Sequence, residues 1–164
     1  MAGDAPSVTV VALEGSAGAV TAAYNPKELG VDKSVPWQLA PSSRGESPTL
    51  QFSGSTGRTL SIHLLFGDTS GSASVQPNLD RLQRMAAIQS EAGPEDQRRP
   101  PRVALRWPGN RIPEFVGVIE ALSLRYEALR ADGTPVAAVA QLRIREAARA
   151  VSMKKAAKRP ARRR

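Results

Sequence analysis

The chain has 164 residues, a length that suits one domain, and 41% of them are hydrophobic although only 4% are aromatic. It contains no cysteine, so a disulfide framework and a thiolate metal site are both excluded. No apolar run approaches the ~20 residues that a membrane helix needs, and the N-terminus lacks the basic and apolar regions of a secretory signal.

The formal net charge of +8 is concentrated at the C-terminal end. The last twelve residues contain seven cations and no acid, so subtracting these seven charges leaves +1 for the rest of the chain. A nearly neutral folded part argues against a basic nucleic-acid-binding domain. The cations are Lys154, Lys155, Lys158, Arg159, Arg162, Arg163 and Arg164.

The composition predicts a folded domain over residues 1–150 and a basic, disordered tail over residues 151–164. Such a tail can contact an acidic partner, nucleic acid or an anionic surface, with an affinity that falls steeply as salt is added. It can equally be a solubilising extension. The tail has no aromatic residue, so base stacking is not implied.

The N-terminal part of the chain predicts short strands joined by turns. The β-branched stretch Ser7–Leu13 and the stretch Val20–Tyr24 predict a hairpin across a glycine-rich turn. Asn25-Pro26 ends the second strand, because proline lacks a backbone donor and restricts the residue before it. A third strand is predicted over Val31–Leu39, and Pro36 inside it indicates a sheet edge or a bulge.

The stretch Arg58–Gly67 is the most regular strand signal and is predicted to be central to the core. Successive side chains of a strand point to opposite faces, and here one parity is apolar and the other is largely polar. The apolar set is Leu60, Ile62, Leu64 and Phe66; the polar set is Thr59, Ser61 and His63. Leu50–Phe52 precedes it across a five-residue connection with two glycines, which predicts a hairpin.

One helix is predicted, from residue 77 or 78 to about Glu91, ended by Gly93-Pro94. Its apolar side follows the 3.6-residue period through Leu79, Leu82, Met85 or Ala86, and Ile88 or Gln89.

Three more strands are predicted: Val103–Trp107, Phe115–Ala128 and Val136–Ile144. The last two are joined at Asp132-Gly133, a strong hairpin signal. On one face of the first long strand lie Val116, Val118, Leu122, Leu124 and Tyr126, interrupted by Glu120; on one face of the second lie Val136, Ala138, Ala140, Leu142 and Ile144. Seven or eight mainly hairpin-connected strands and one helix predict a mainly β fold, an antiparallel sandwich or open barrel with one packed helix.

The sequence offers little for catalysis or metal binding. His63 is the single histidine, and a hydrolase that uses it with Ser61 or Ser70 is a remote third hypothesis. The stretch around Asp68 faintly resembles the sequence around a protease nucleophile, but it is a Gly/Ser loop and contains no nucleophile elbow. The carboxylates at Asp80, Glu91, Glu95 and Asp96 are spread over a helix and a link, which favours a solvated surface. The aromatic residues Trp37, Phe52, Phe66, Trp107 and Phe115 are predicted to lie in the core or in an interface. We therefore expect no catalytic, cofactor or metal site.

An ordered series of short motifs runs along the chain. It comprises Tyr24-Asn25-Pro26-Lys27-Glu28-Leu29, Trp37, Leu50-Gln51-Phe52-Ser53-Gly54, Arg58-Thr59-Leu60-Ser61, Leu64-Leu65-Phe66-Gly67-Asp68, Arg99-Pro100-Pro101-Arg102-Val103, Trp107-Pro108-Gly109, Phe115-Val116-Gly117-Val118 and Asp132-Gly133-Thr134-Pro135-Val136. Over roughly residues 7–147, this series resembles the N-terminal domain of contractile injection system tube proteins of the tube-initiator, baseplate type.

The resemblance implies a phage-tail-tube-like fold, a curled β-barrel with one helix outside, that assembles as a hexameric ring. Such a ring is structural and has no catalytic role, cofactor or small-molecule substrate. It joins the central spike to the inner tube, so its partners are the inner tube protein, the spike or hub protein and other baseplate subunits. The resemblance also implies assembly in the bacterial cytoplasm, release with the particle and no membrane insertion.

Members of this type usually carry a LysM module after the tube-like domain, and the present sequence stops before such a module. Any role that depends on the module is therefore open. The polar parity of the long strands would face a ring lumen or a neighbour; its members are Ser123, Arg125, Glu127, Gln141, Arg143 and Arg145. The alternative function is a small β-domain binding module whose basic tail contacts an acidic partner or nucleic acid.

Overall fold

The computed structural model describes residues 7–40, 49–67, 71–94 and 97–147. The seven cations between Lys154 and Arg164 lie outside these ranges, and so do the sequence-predicted candidates Asp68, Ser70, Glu95 and Asp96. The elements in chain order are β1 Thr9–Ala12, β2 Ala19–Thr21, β3 Leu29–Lys33, β4 Trp37–Ala40, β5 Thr49–Phe52, β6 Arg58–Gly67, α1 Gln76–Ala86, β7 Arg102–Arg106, β8 Phe115–Leu129 and β9 Pro135–Glu146.

Seven strands form one antiparallel sheet in the order β2-β1-β7-β8-β9-β6-β3, and β4 and β5 pair with each other in a separate two-stranded sheet. The large sheet curls back on itself. After β2, the amide of Ala23 donates to the carbonyl of Leu65 on β6 at 2.8 Å, and Tyr24 forms a bridge with Leu65. The predicted mainly β fold with one packed helix is confirmed.

The core lies on the inner face of this curled sheet. The apolar parity predicted for β6 is confirmed, because Leu60, Ile62, Leu64 and Phe66 are all buried. On β9 the same holds for Ala138, Ala140, Leu142 and Ile144. Helix α1 packs against β8, β2 and β9 and buries Leu79, Leu82 and Met85.

The helix ends five residues earlier than predicted. Ala87 already has an extended backbone, and Ile88, predicted for the apolar side, is 55% exposed. The chain after the helix pairs with a returning segment instead: the amide of Gln89 donates to the carbonyl of Arg99, and the amide of Ser90 donates to the carbonyl of Gln97. These bonds take backbone donors that a longer helix would have used.

The face predicted for β8 is wrong in its first half. A register shift between Ile119 and Ala121 inserts Glu120 as a bulge. Before the bulge the inward residues are Phe115, Gly117 and Ile119, so Val116 and Val118 point outward; after it Leu122 and Leu124 point inward and pack against the core. Because side chains alternate with a period of two, one extra residue exchanges the two faces of a strand.

The predicted strand Val31–Leu39 is split into β3 and β4, and the predicted hairpin between Leu50–Phe52 and β6 is wrong. Instead β3 pairs with β6, and β4 pairs with β5 in the register Trp37–Phe52 and Leu39–Leu50. Pro36 lies in the break between β3 and β4, as its missing donor suggests. Along the chain, β4 follows β3 and β5 precedes β6, so the β4–β5 pair continues from the end of the β3–β6 pair. β4 and β5 therefore form an arm that extends beyond the end of β3 and β6.

Glu14 joins the end of β1 to the start of β7. Its carboxylate lies 2.9 Å from Arg99 Nη1 and 2.7 Å from Arg102 Nε. Partial burial alone would raise the pKa of Glu14, but the hydrogen bonds from Arg99 and Arg102 outweigh it and lower the pKa from 4.5 to about 2. The carboxylate therefore stabilises the fold above pH 4.5, and this contribution is lost as pH falls towards 2.

We expect Glu14→Gln to flatten this pH dependence. Urea unfolding at pH 6 and pH 3 should show a larger loss of stability for the wild type than for the variant, by about 1 kcal/mol after allowance for solvent screening. Glu114→Gln, which removes the exposed ion pair between Glu114 and Arg106, is the matched control and should retain the wild-type slope. Parallel profiles for wild type and Glu14→Gln would contradict the assignment.

Candidate functional site: a polar sheet face, its two open edges and an apolar arm

The outward side of β6, β9 and β8 is mainly polar. Cross-strand neighbours on it include Thr59 with Arg145, Ser61 with Arg143, and His63 with Gln141. All six of the residues predicted for the polar parity of the long strands are exposed, namely Ser123, Arg125, Glu127, Gln141, Arg143 and Arg145. We call this surface the polar face.

The charged side chains of the polar face lie in ion pairs. The carboxylate of Glu120 lies 3.3 Å from Arg143 Nε and 2.8 Å from Arg145 Nη2, and Glu127 lies 2.9 Å from Arg125. Glu120 shares the outward parity of Val116 and Val118, and its carboxylate lies between the two arginines. Exposed pairs of this kind add at most about 1 kcal/mol each to stability. Their main effect is a hydrated surface whose electrostatic field is too weak to attract a polyanion strongly.

Both sides of the polar face end in open strand edges. The outer edge of β3 pairs with no strand in the described part of the chain. On the other side, β7 pairs with β8 only from Phe115 to Val118, so the stretch 120–129 has β9 on one edge and no described strand on the other. Open edges present rows of unpaired amides and carbonyls, which are templates for pairing with another chain.

The orientation of the outer edge of β3 follows from two hydrogen bonds on β6. The amide of Arg58 donates to Glu146 Oε2 on the β9 side, and the carbonyl of Leu65 accepts from Ala23 on the other side. Backbone groups alternate sides along a strand, so those of Thr59 and Ser61 point to Asp32 and Gly30 of β3. It follows that the amide of Val31 points to the open edge.

The arm has one apolar face. Trp37, Leu39, Leu50 and Phe52 lie on it with exposed fractions between 53% and 66%. The rings of Trp37 and Phe52 meet edge to face with centroids 5.5 Å apart. On the opposite face are Gln38, Gln51, Ala40 and Thr49. We call β4 and β5 with these four large apolar side chains the apolar arm; it has the pattern of a surface made to be covered.

A concavity of about 630 Å³ lies where the chain leaves β2 and meets β6. It is lined by Tyr24, Asn25, Pro26, Lys27, Glu28, His63 and Leu65. Tyr24, Pro26 and Leu65 supply apolar surface to it, and Asn25, Lys27, Glu28 and His63 supply polar groups. Its loop is held in place, because Asn25 Oδ1 accepts a hydrogen bond from the amide of Val8 at 2.9 Å. We call it the Tyr24 cavity.

The residues considered for chemistry are not brought together. His63 is exposed on the polar face at the rim of the Tyr24 cavity, and Asp80 lies on α1 with Oδ1 accepting from Gln76 Nε2 at 2.7 Å. Within residues 7–40, 49–67, 71–94 and 97–147, no three potential ligands cluster around a metal-sized space. Among the same residues, no helix combines the length and apolar character needed to cross a bilayer.

Sequence reasoning placed Trp37 and Phe52 in the core or an interface but did not find the apolar arm. Its signal was present: Trp37 and Leu39 alternate with Gln38, and Leu50 and Phe52 alternate with Gln51. Two amphipathic strands separated by eight residues, none of them large and apolar, indicate a hairpin of their own. The competing hairpin signal, the two glycines before Arg58, masked it.

Two comparisons with known proteins bear on the family of this chain. A search of the curated proteins finds no match to the chain. The family model described as contractile injection system tube protein matches residues 10–155, most of the chain. This is a family of structural proteins of tail-like particles, and it agrees with the resemblance carried by the sequence motifs. The chain belongs to the contractile injection system tube protein family.

Proposed function

We propose that the protein is a ring-forming subunit of the tube-initiator type, placed in the baseplate of a tail-like particle between the central spike and the inner tube. Its partners in this role are further copies of itself, the inner tube protein, the spike or hub protein and other baseplate subunits. Assembly takes place in the bacterial cytoplasm, and the protein leaves the cell with the particle. Family membership supports a structural role in the tail, and the layer is our proposal.

The observation that supports a ring is the pair of open strand edges that flank the polar face. The edge of β3 and the stretch 120–129 of β8 lie on opposite sides of the same four-stranded surface. If the edge of β3 in one copy pairs with that of β8 in the next, both rows of backbone groups are satisfied by one repeated contact. A repeated head-to-tail contact forms a closed ring when the rotations between successive copies add up to a full turn.

Such a ring would place the polar face on its inner wall. Most of its exposed side chains are polar or ion-paired, with Leu65 as the exception on β6, and the inner wall would therefore stay hydrated without a strong field of either sign. Six copies are part of the proposal because the family resemblance implies a hexamer.

Val31→Pro tests the edge contact. Proline removes the one donor at Val31, whose amide points to the open edge, and proline is tolerated on sheet edges. We expect a folded protein with wild-type circular dichroism that no longer forms rings by light scattering and negative-stain microscopy. Val31→Thr keeps the donor and should form rings.

Rings of normal diameter from Val31→Pro would contradict the edge contact. A wild-type protein that stays monomeric at all concentrations and is absent from purified particles would overturn the ring itself.

A further inference from the structure

We propose that Asp32 of one copy pairs with Arg125 of the next copy, and that this charge pair sets the register of the side-to-side contact. The inference rests on the proposed ring and deepens it, because it states which residues of the two open edges lie opposite one another. A contact with one register favours chains that carry the same two charges in the same places.

Asp32 and Arg125 are charged side chains on the two opposite edges of the sheet. Asp32 pairs with Thr59 across β3 and β6, so it lies on the same side of the sheet as the polar face. It is exposed, and no cation of the described ranges lies within ion-pair distance of its carboxylate. Arg125, on β8, contacts Glu127, yet its side chain remains 75% exposed. The two edges that meet in the ring therefore present charges of opposite sign.

The backbone groups of the two edges are oriented to match. The amide of Val31 points to the open edge of β3, and its side chain lies on the inner face of the sheet. By the same alternation, Ser123 and Arg125 direct their backbone groups to β9, so those of Leu124 and Tyr126 point to the open edge. The side chains of these two lie on the inner face, towards α1. Since β8 and β3 are three antiparallel steps apart, successive copies meet antiparallel, and both faces of the sheet continue across the junction.

The tilt of strands in a closed ring limits how far the two edges are displaced. Within one copy, Val31 is level with Ile119 along the ladders from β3 to β8. Strands that close into a barrel tilt by about 35–45°, so four interstrand spacings of about 4.8 Å displace a strand by roughly 13–19 Å, or about four to six residues. Because β7 covers β8 as far as Val118, the displacement runs towards the tip of the β8–β9 hairpin. Counted along β9, it brings Val31 opposite the stretch Leu124–Tyr126.

Face parity and charge select one register within this stretch. Only its first and last residues have side chains on the inner face, so Val31 lies opposite one of them. Opposite Tyr126, which is 43% exposed, Val31 covers its own 48% exposed side chain, and Asp32 comes directly opposite Arg125. In the other register Asp32 faces Ser123 and gains no cation. Cross-strand pairs of opposite charge and of aromatic with β-branched residues both stabilise a sheet, so the first register is favoured.

Charge reversal in two separate proteins tests the pair. Asp32→Lys and Arg125→Glu each place like charges at every junction, which destabilises a cross-strand pair. Because a ring repeats the junction, we expect either variant to need roughly tenfold more protein than the wild type to form rings by light scattering and negative-stain microscopy. A mixture of the two variants should form rings at the wild-type concentration, because alternating copies restore opposite charges at every junction. A ring of six copies permits this alternation.

Circular dichroism of each variant checks the fold, which should persist because both side chains are exposed. Single variants that form rings at the wild-type concentration would overturn the inference and leave the ring intact. A mixture that assembles no better than either folded variant alone would do the same. A wild-type protein that forms no rings would overturn the proposed function instead.

Cysteine pairing tests the register directly, because the chain has no cysteine of its own. Opposed residues that exchange no backbone hydrogen bonds have Cα atoms about 4.5 Å apart, within the roughly 4.4–6.8 Å range of disulfides. In one copy, β3 and β8 are three interstrand spacings apart, roughly 14 Å, so a bridge between Asp32→Cys and Arg125→Cys must join two chains.

Oxidised rings of the double variant Asp32→Cys with Arg125→Cys should give a ladder of linked chains on a denaturing gel. Asp32→Cys with Ser123→Cys is the matched control, because Ser123 belongs to the other register on the same face, and it should give a much weaker ladder. An equal or stronger ladder from the control, or no ladder from the first variant in assembled rings, would show that Asp32 does not lie opposite Arg125.

Discussion

Replacing Leu64 with aspartate is expected to abolish soluble folding. Leu64 is fully buried on β6, opposite Ala140 of β9, among the apolar side chains of the central core. A carboxyl group there has no partner, and an unpaired charge or polar group in a core costs several kcal/mol. Domains of this kind are stable by only about 5–15 kcal/mol. Expression followed by fractionation should find the variant in the insoluble pellet.

The matched control lies one residue away. His63→Asp introduces the same carboxylate on the exposed polar face and should stay soluble, with cooperative thermal unfolding. A Leu64→Asp protein that is soluble and unfolds at the wild-type temperature would show that β6 does not hold the core.

The second large effect is expected at a glycine. Gly117 lies on β8 between Val103 of β7 and Glu146 of β9. A methyl group added there would overlap the carbonyl oxygen of Arg145 and would lie 2.8 Å from both its carbonyl carbon and Ile144 Cγ2. The obstacle is backbone, which cannot rotate away. We expect Gly117→Ala to cost about 3 kcal/mol or more, a fall in Tm of roughly 6–12 °C by calorimetry.

Gly30→Ala is the control for this substitution. Gly30 is also a strand glycine, on β3, and the nearest atom to an added methyl group is the carbonyl oxygen of Ser61 at 3.8 Å, an ordinary contact. Replacing glycine where the backbone permits alanine is neutral or stabilises by up to about 1 kcal/mol. Equal losses from the two variants would show that the approach of β9 to Gly117 is not the cause.

The parts of the fold that could be predicted from sequence are those in which local pattern and packing agree. On β6 and β9, strict alternation of large apolar and polar residues identified the buried set, from Leu60 to Ile144. The register between them, from Thr59 beside Arg145 to Gly67 beside Ala137, depends on two distant segments and could not be read from one strand. The arm was missed because pairing partners are a property of two segments, and the glycines before Arg58 offered a shorter but incorrect turn.

The candidate site was less predictable than the core. The polar side chains of the long strands were identified, but the open edges depend on where β7 ends against β8, which no local pattern reports. The Tyr24 cavity depends on the meeting of residues 24 and 65, far apart in sequence. Glu120 appeared as a flaw in an apolar face because a bulge has no signature in a plain alternation. Its two arginine partners, Arg143 and Arg145, explain why a carboxylate belongs there.

The bulge at Glu120 divides β8 into two parts with different pairing. Residues 115–119 are embedded between β7 and β9 and are part of the subunit's own barrel. Residues 121–129 carry the open edge and, under the proposed ring, belong as much to the neighbouring copy. Changes before the bulge should therefore alter the stability of the monomer, whereas backbone changes at the open edge beyond it should alter assembly at constant stability. If the proposed ring forms, substitutions that affect folding and backbone changes that affect assembly should therefore fall on opposite sides of one inserted residue in the same strand.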